Sequence, residues 1–318
     1  MAIKKQTKKE RKTMKKIVSL LLVLVCVLAA FTACGGEKAP VEKDYSLAIG
    51  VVVTENLEKT KLTETVAAVV TDADGKIVLC RLDCVDYTAK YNEDGSLDTT
   101  APTSKVAIGA AYGTMPAGSW DVQGAALENY VVGKTQAEVA AIALEGGKAT
   151  DADLVAVCSI AVTDLLKAID NAFNSEHKVA FKSSASAFTA GFSAIGSVKD
   201  TSNDEAKAIK LTETYAASVL ADGKVVASIL DTAEAELKDI TEAGAASVSY
   251  NGTKRELGNN YGEMPAGTWY VQADAYAVAA NGKTADDIAT LASEGVAGCT
   301  IYAGEYKAAI ETAVLGAR

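Results

Sequence analysis

The chain predicts an α+β protein of two homologous domains, each an antiparallel or mixed sheet packed by helices. Three observations carry that expectation. A long internal duplication runs at an offset of 149, Thr/Val/Ala-rich segments flank Asp-Gly pairs in both copies, and helical spacings follow them. Lys61-Leu-Thr-Glu-Thr65 recurs as Lys210-Leu-Thr-Glu-Thr214, and Asp74-Gly-Lys76 as Asp222-Gly-Lys224. Tyr112-Gly-Thr-Met-Pro-Ala-Gly-Ser-Trp120 recurs as Tyr261-Gly-Glu-Met-Pro-Ala-Gly-Thr-Trp269, and further on, at an offset of 141, Cys158-Ser-Ile160 recurs as Cys299-Thr-Ile301. A unit of this length can hold a core of its own, unlike a solenoid repeat.

The elements follow in order. Thr63 to Val70 and Thr212 to Leu220 read as strands that turn at Asp74-Gly75 and Asp222-Gly223. They return as Ile77 to Asp83 and Val225 to Asp231. Ser247 to Tyr250, Asn251-Gly252 and the polar segment after them suggest a further hairpin, with Asn92 to Gly95 as its looser counterpart. Apolar residues spaced by three and four after Trp120 and Trp269 predict helices with Ser119 and Thr268 as N-caps. Thr135-Gln-Ala-Glu138 and Thr284-Ala-Asp-Asp287 read as capping boxes of a second helix. Cys158 to Val162 is expected as a late strand before a helix over 164–173, with 299–301 and 305–314 as the parallels. Phe181, Phe188 and Phe192 assign most of 181–197 to the opening strands of the second copy.

These readings set the organisation: a signal segment at 1–33, a tether at 34–44, and repeat domains at 45–178 and 180–318. The first segment couples a lysine-rich stretch to the apolar run Ile17–Ala33, which stops at Cys34, the pattern of a secretory signal peptide. The chain carries a net charge of −10, and the basic start makes the remainder more acidic still. That surface argues against nucleic acid as a partner. With His177 as the single histidine, a zinc site of His and Cys ligands is not expected, nor any other metal site.

The sharpest candidate for chemistry is the block that carries Lys105, Tyr112, Trp120 and Gln123, with its twin Lys254, Tyr261, Trp269 and Gln272. A helix start preceded by glycine offers free N–H groups to an anion, and Tyr with Trp could clamp a planar or sugar-like group. The more ordinary role for large residues kept by both copies is scaffold, with the Trp side chains plugging the gap between sheet and helix. No Gly-x-Ser-x-Gly elbow, glycine-rich phosphate loop or EF-hand loop is present in the sequence, so no catalytic residue is assigned.

Phe31-Thr-Ala-Cys34 resembles the lipobox of bacterial lipoproteins. That resemblance implies acylation of Cys34, palmitate included, and a lipid-anchored place on the extracellular face of the cell membrane, with the bilayer as partner. The whole chain resembles bacterial surface lipoproteins with a repeated extracellular domain. Its Asp-Gly-Lys turns are similar to those of extracellular FMN-binding domains, which would imply FMN and electron transfer. Members with covalent flavin use a Ser/Thr-Gly-Ala-Ser/Thr segment, whereas the nearest string here, Ala243-Gly-Ala-Ala246-Ser247, lacks the hydroxyls. The expectation is therefore a non-catalytic protein that binds a small organic ligand or a cell-envelope component, with no cofactor. The alternatives are a flavin-associated electron carrier and a purely architectural surface protein.

Overall fold

Each copy of the repeat lays down three long antiparallel strands and then covers one face of them with helices. The computed structural model describes residues 41–318 apart from 186 and 293; the expected signal segment and Cys34 lie outside the described residues. The first copy runs β1 (Lys43–Asn56), β2 (Lys61–Asp72) and β3 (Ile77–Thr88). Helices α1 (Lys105–Ile108), α2 (Trp120–Val131), α3 (Gln136–Ala140), α4 (Ala152–Val155) and α5 (Thr163–Asn174) follow. Strand β4 (Val179–Ser183) leads into the second copy: β5 (Thr189–Asp200), β6 (Ile209–Ala221), β7 (Lys224–Lys238) and β8 (Ser247–Ser249). The copy closes with α6 (Lys254–Leu257), α7 (Trp269–Val278), α8 (Ala285–Ala289) and α9 (Gly304–Leu315). The fold is α+β, and no helix among the described residues is long and apolar enough to cross a membrane.

The two sheets have the orders β3-β2-β1-β4 and β8-β7-β6-β5. Asp222 and Gly223 both adopt positive φ, 50° and 74°, as a two-residue hairpin of primed type requires. In the first copy the Asp72 carboxylate receives the N–H groups of Asp74 and Lys76 and holds a wider turn. The capping boxes at Thr135/Glu138 and Thr284/Asp287 are both formed, and α2 and α7 begin at their Trp residues.

Several expectations differ from the structure. β1 begins at Lys43, so the last two residues of the expected tether are already strand. β4 lies past the expected boundary at 178–180, yet it pairs with β1 from Lys43↔Ser183 to Leu47↔Val179 and so completes the first sheet. The second sheet opens only at Thr189. Residues 158–162 and 299–301 form no strand; the Ser159 and Thr300 N–H groups donate to the side chains of Gln123 and Gln272 rather than to a strand. Ser247–Ser249 pairs backwards with Glu236–Lys238, and Asn251-Gly252 enters α6, whose capping box of Thr253 and Glu256 forms where a strand was expected.

The sequence suggests two separate cores; the structure joins them. Residues 42–318 form one compact unit. On its helix face each sheet has its own core, Leu127, Leu154 and Ile169 with Val69 and Leu82 in the first copy, Tyr276, Ile288 and Ile310 with Leu220 and Leu230 in the second. The opposite faces meet each other. Leu47, Ile49, Val66 and Val70 pack with Tyr215, Ala217, Val219 and Ile229, and Leu62 and Tyr87 pack with Leu211 and Leu237. The layers thus run helix, sheet, sheet, helix. A strand has two faces, and β2 and β6 bury both, which explains their long apolar runs.

Glycine sets the distance between sheet and helix. A Cβ on Gly50 would lie 2.2 Å from the Ala168 carbonyl oxygen of α5, and one on Gly191 would lie 1.6 Å from that of Ala313 in α9. In register Gly50 corresponds to Ser193, whose hydroxyl donates to the Ala309 carbonyl at 2.7 Å, while Gly191 corresponds to Ala48.

Candidate functional site

Short helices α1 and α6 carry the two lysines of the repeated block to the helix-side end of each sheet. Ser104 and Thr253 cap them, and a buried carboxylate receives the next backbone N–H: Asp83 from Val106 at 3.0 Å, Asp231 from Arg255 at 3.1 Å. Burial pushes both carboxyls up, Asp231 to about 6, against the pull of these hydrogen bonds and, at Asp231, of Arg255.

From these helix starts the lysines meet the same three partners in each copy. The Lys105 ammonium lies 5.0 Å from the Tyr112 ring centroid, 5.6 Å from that of Trp120, and 3.2 Å from the Asp86 carboxylate. Lys254 lies 5.0 Å from Tyr261, 5.7 Å from Trp269 and 3.0 Å from Glu234. A second lysine reaches each carboxylate, Lys61 at 3.1 Å and Lys210 at 2.7 Å. Burial opposes the charge on Lys105 and Lys254, yet Cys84 and Asp86 around the first, and Tyr261 and Glu234 around the second, hold both above the ordinary lysine value. These lysines stay protonated at neutral pH, so neither is a free amine nucleophile.

From this cluster the two Trp side chains reach into the core, and only the glutamines stand apart from it. Trp120 and Trp269 are 6% and 2% exposed and belong to the helix-side cores; the Trp269 indole donates to the Tyr306 hydroxyl at 3.0 Å. Gln123 donates to the Gly118 carbonyl at 2.8 Å and accepts from the Ser159 N–H at 2.6 Å. Gln272 does the same with Gly267 and Thr300, at 3.0 Å and 2.8 Å. These glutamines pin the Met-Pro-Ala-Gly turn to the extended segment that sequence reads as a late strand. Both side chains are fully buried.

The copies diverge at the carboxylate. Asp86 also accepts from the hydroxyls of Thr63, at 2.8 Å, and Tyr112, at 3.0 Å, so its partners are all internal. Glu234 is one methylene longer, and a hollow of about 180 Å³ opens over it. Lys210, Lys254, Glu234, Glu236, Asn251 and Tyr261 line that hollow. Lys210, Asp86 and Glu234 are residues sequence reasoning missed. Their signal was present: Lys210 belongs to the repeated Lys-Leu-Thr-Glu-Thr motif, and acids recur at 86 and 234.

Other candidates resolve simply. His177 stacks on Tyr270 at 4.0 Å, and its carbonyl accepts from Arg255 at 3.0 Å. Among the described residues no group of three or more His, Cys, Asp or Glu is placed to hold a metal ion. The segment nearest to a flavin attachment motif does not fit a flavin. Ala246 stands where the acceptor hydroxyl belongs, the Ala245 N–H donates to the Leu57 carbonyl at 2.9 Å, and a Cβ on Gly244 would lie 2.6 Å from that same oxygen. The segment is spent on contact between the repeats.

No family model, curated protein or solved structure matches the chain.

Proposed function

We propose that the chain is an exported, lipid-anchored protein of the extracellular membrane face that binds a small polyhydroxy ligand, such as a sugar unit of the cell envelope, without catalysing its conversion. The observation that carries the ligand is the hollow over Glu234. Its lining is charge-balanced, two ammoniums against two carboxylates, which disfavours a strongly ionic ligand. It also offers both donors and acceptors, from Lys210, Lys254, Asn251, Glu234 and Glu236, together with Tyr261, which suits hydroxyl groups and a C–H face. The anchor rests on the segment before Cys34 and its likeness to a lipobox.

Tyr261 fluorescence is overlaid by Trp, so calorimetric titration of the intact chain with mono- and disaccharides is the suitable test. Saturable binding should appear and should be lost in Lys210→Met, which removes a lining group that lies outside the Trp contact. Heat that persists unchanged in Lys210→Met would overturn the assignment to this hollow. Burial of both Trp side chains favours a second reading, a purely architectural body; absence of any saturable titration with the fold intact would select it.

The anchor has its own check. Cys34→Ala should move the protein from the membrane fraction to the medium and abolish incorporation of labelled palmitate. Full membrane retention of that variant would exclude the lipid anchor.

A further inference from the structure

The repeated Lys-Leu-Thr-Glu-Thr motif places one glutamate from each copy, Glu64 and Glu213, in the layer between the two sheets. Side chains alternate along a strand, so Glu64 shares its face with Leu62 and Val66, and Glu213 shares its face with Leu211 and Tyr215. These neighbours belong to the two apolar clusters that hold the sheets together, and the glutamates lie between those clusters. Both are 0% exposed. The Tyr215 hydroxyl donates to one oxygen of Glu64, so this pair spans the two repeats. The other Glu64 oxygen and both oxygens of Glu213 have no hydrogen-bond partner, nor has the nearby Tyr250 hydroxyl. Opposite Glu213 on β5 stands Gly196, where a Cβ would lie 2.2 Å from the carboxyl oxygen; the strand is pared back to admit the group.

The titratable groups around the pair supply no positive charge to it. Tyr215 comes from β6, Tyr250 from the segment after β8, Asp83 from β3 and Asp231 from β7; Arg255 faces Asp231. None of the ion pairs of the described residues includes Glu64 or Glu213. A carboxylate left bare in such a layer is strongly disfavoured, while a carboxylic acid is tolerated.

We infer that Glu64 and Glu213 form a proton-operated latch between the repeats: as neutral acids they lie within the apolar layer, and on losing their protons they loosen the contact of sheet on sheet. Burial raises Glu64 to about 7 and, helped by the neighbouring Glu64 and Asp83, Glu213 to about 9. The folded state therefore holds protons that the unfolded chain releases near the ordinary glutamate value. Their contribution to stability is complete below that value and is lost as pH rises through 7 and 9.

The test is the folding equilibrium of the intact chain, measured by urea unfolding at pH 5, 7 and 9. For the native sequence the folding constant should fall at least a hundredfold from pH 5 to pH 9. In the double variant Glu64→Gln/Glu213→Gln most of that fall should vanish, and the small remaining slope belongs to Asp231 and Asp83. An equal fall in native and double variant would overturn the latch. Should the double variant fail to fold, carbon NMR of glutamate-labelled native protein decides the matter. Two side-chain carboxyls titrating well above the others support the inference, and all carboxyls titrating near the ordinary value refute it.

Discussion

Expressed separately, residues 42–188 and 189–318 will not fold as monomers, although each carries a complete copy of the repeat. Separation exposes the inter-sheet face of each copy: Leu47, Ile49, Val51, Leu62, Val66 and Val70 on one side, Tyr215, Val219, Ile229, Leu211 and Leu237 on the other. Burying one such side chain contributes about 1.5–3 kcal/mol. Five or six of them thus match the whole net stability of an ordinary domain, about 5–15 kcal/mol. Sedimentation and thermal circular dichroism on each half should show self-association or a broad, non-cooperative melt. A half that stays monomeric at micromolar concentration and melts sharply would show that the helix-side core alone suffices.

Truncating Glu128 will destabilise the protein by about 3–5 kcal/mol, the range for breaking a buried ion pair. Glu128 sits on α2 at 3% exposure and accepts the Leu82 N–H at 2.8 Å, Arg81 at 3.2 Å and Arg318 at 2.9 Å. Arg81 in turn donates to the Ala190 carbonyl of β5 at 2.8 Å, so the network ties helix, first sheet and second sheet together. Burial already draws Arg81 below the ordinary arginine value, with Glu128 opposing that shift. Glu128→Ala leaves the guanidinium without its counter-charge and one buried N–H unpaired. Denaturant titration of Glu128→Ala, Arg81→Met and the pair measures the effect. The double variant should recover part of the loss, and strict additivity would show that the two residues act separately.

The elements fixed by local chemistry were legible in the sequence. Asp222-Gly223, the capping boxes and the helix starts at Trp120 and Trp269 each depend on residues within one turn of one another, and each stands where expected. What depends on a distant partner was not. Cys158 to Val162 has the apolar character of a strand, but a strand exists only beside another, and its backbone is held by Gln123 instead. Phe181 reads as an opening of the second copy, whereas it stacks on Tyr45 of the first at 5.4 Å. The pairing of sheet with sheet had one visible sign, the unbroken Val66-Ala-Ala-Val-Val70, apolar on both faces where a half-covered strand would alternate.

For the candidate site, sequence singled out the repeated block and could not divide it. Lysine, tyrosine and tryptophan recur together in both copies, and they do meet. Whether an aromatic faces a ligand or the core depends on where its helix rolls, which spacing does not reveal. The hollow over Glu234 is lined in part by Glu236 and Asn251, which no repeated motif marks, so a row of letters does not announce it.

The shifted glycines bear on how such a gene can change. In β1 the closest approach of helix to strand falls at Gly50, and in β5 it falls two residues away, at the register position of Ala48. Recombination between the two copies, to which any tandem duplication is exposed, could set α9 upon β1. The Ala48 methyl would then stand where the Ala313 carbonyl descends onto Gly191. Such a chimera keeps every repeated motif and still fails sterically, so the copies, alike in letters, have ceased to be interchangeable parts.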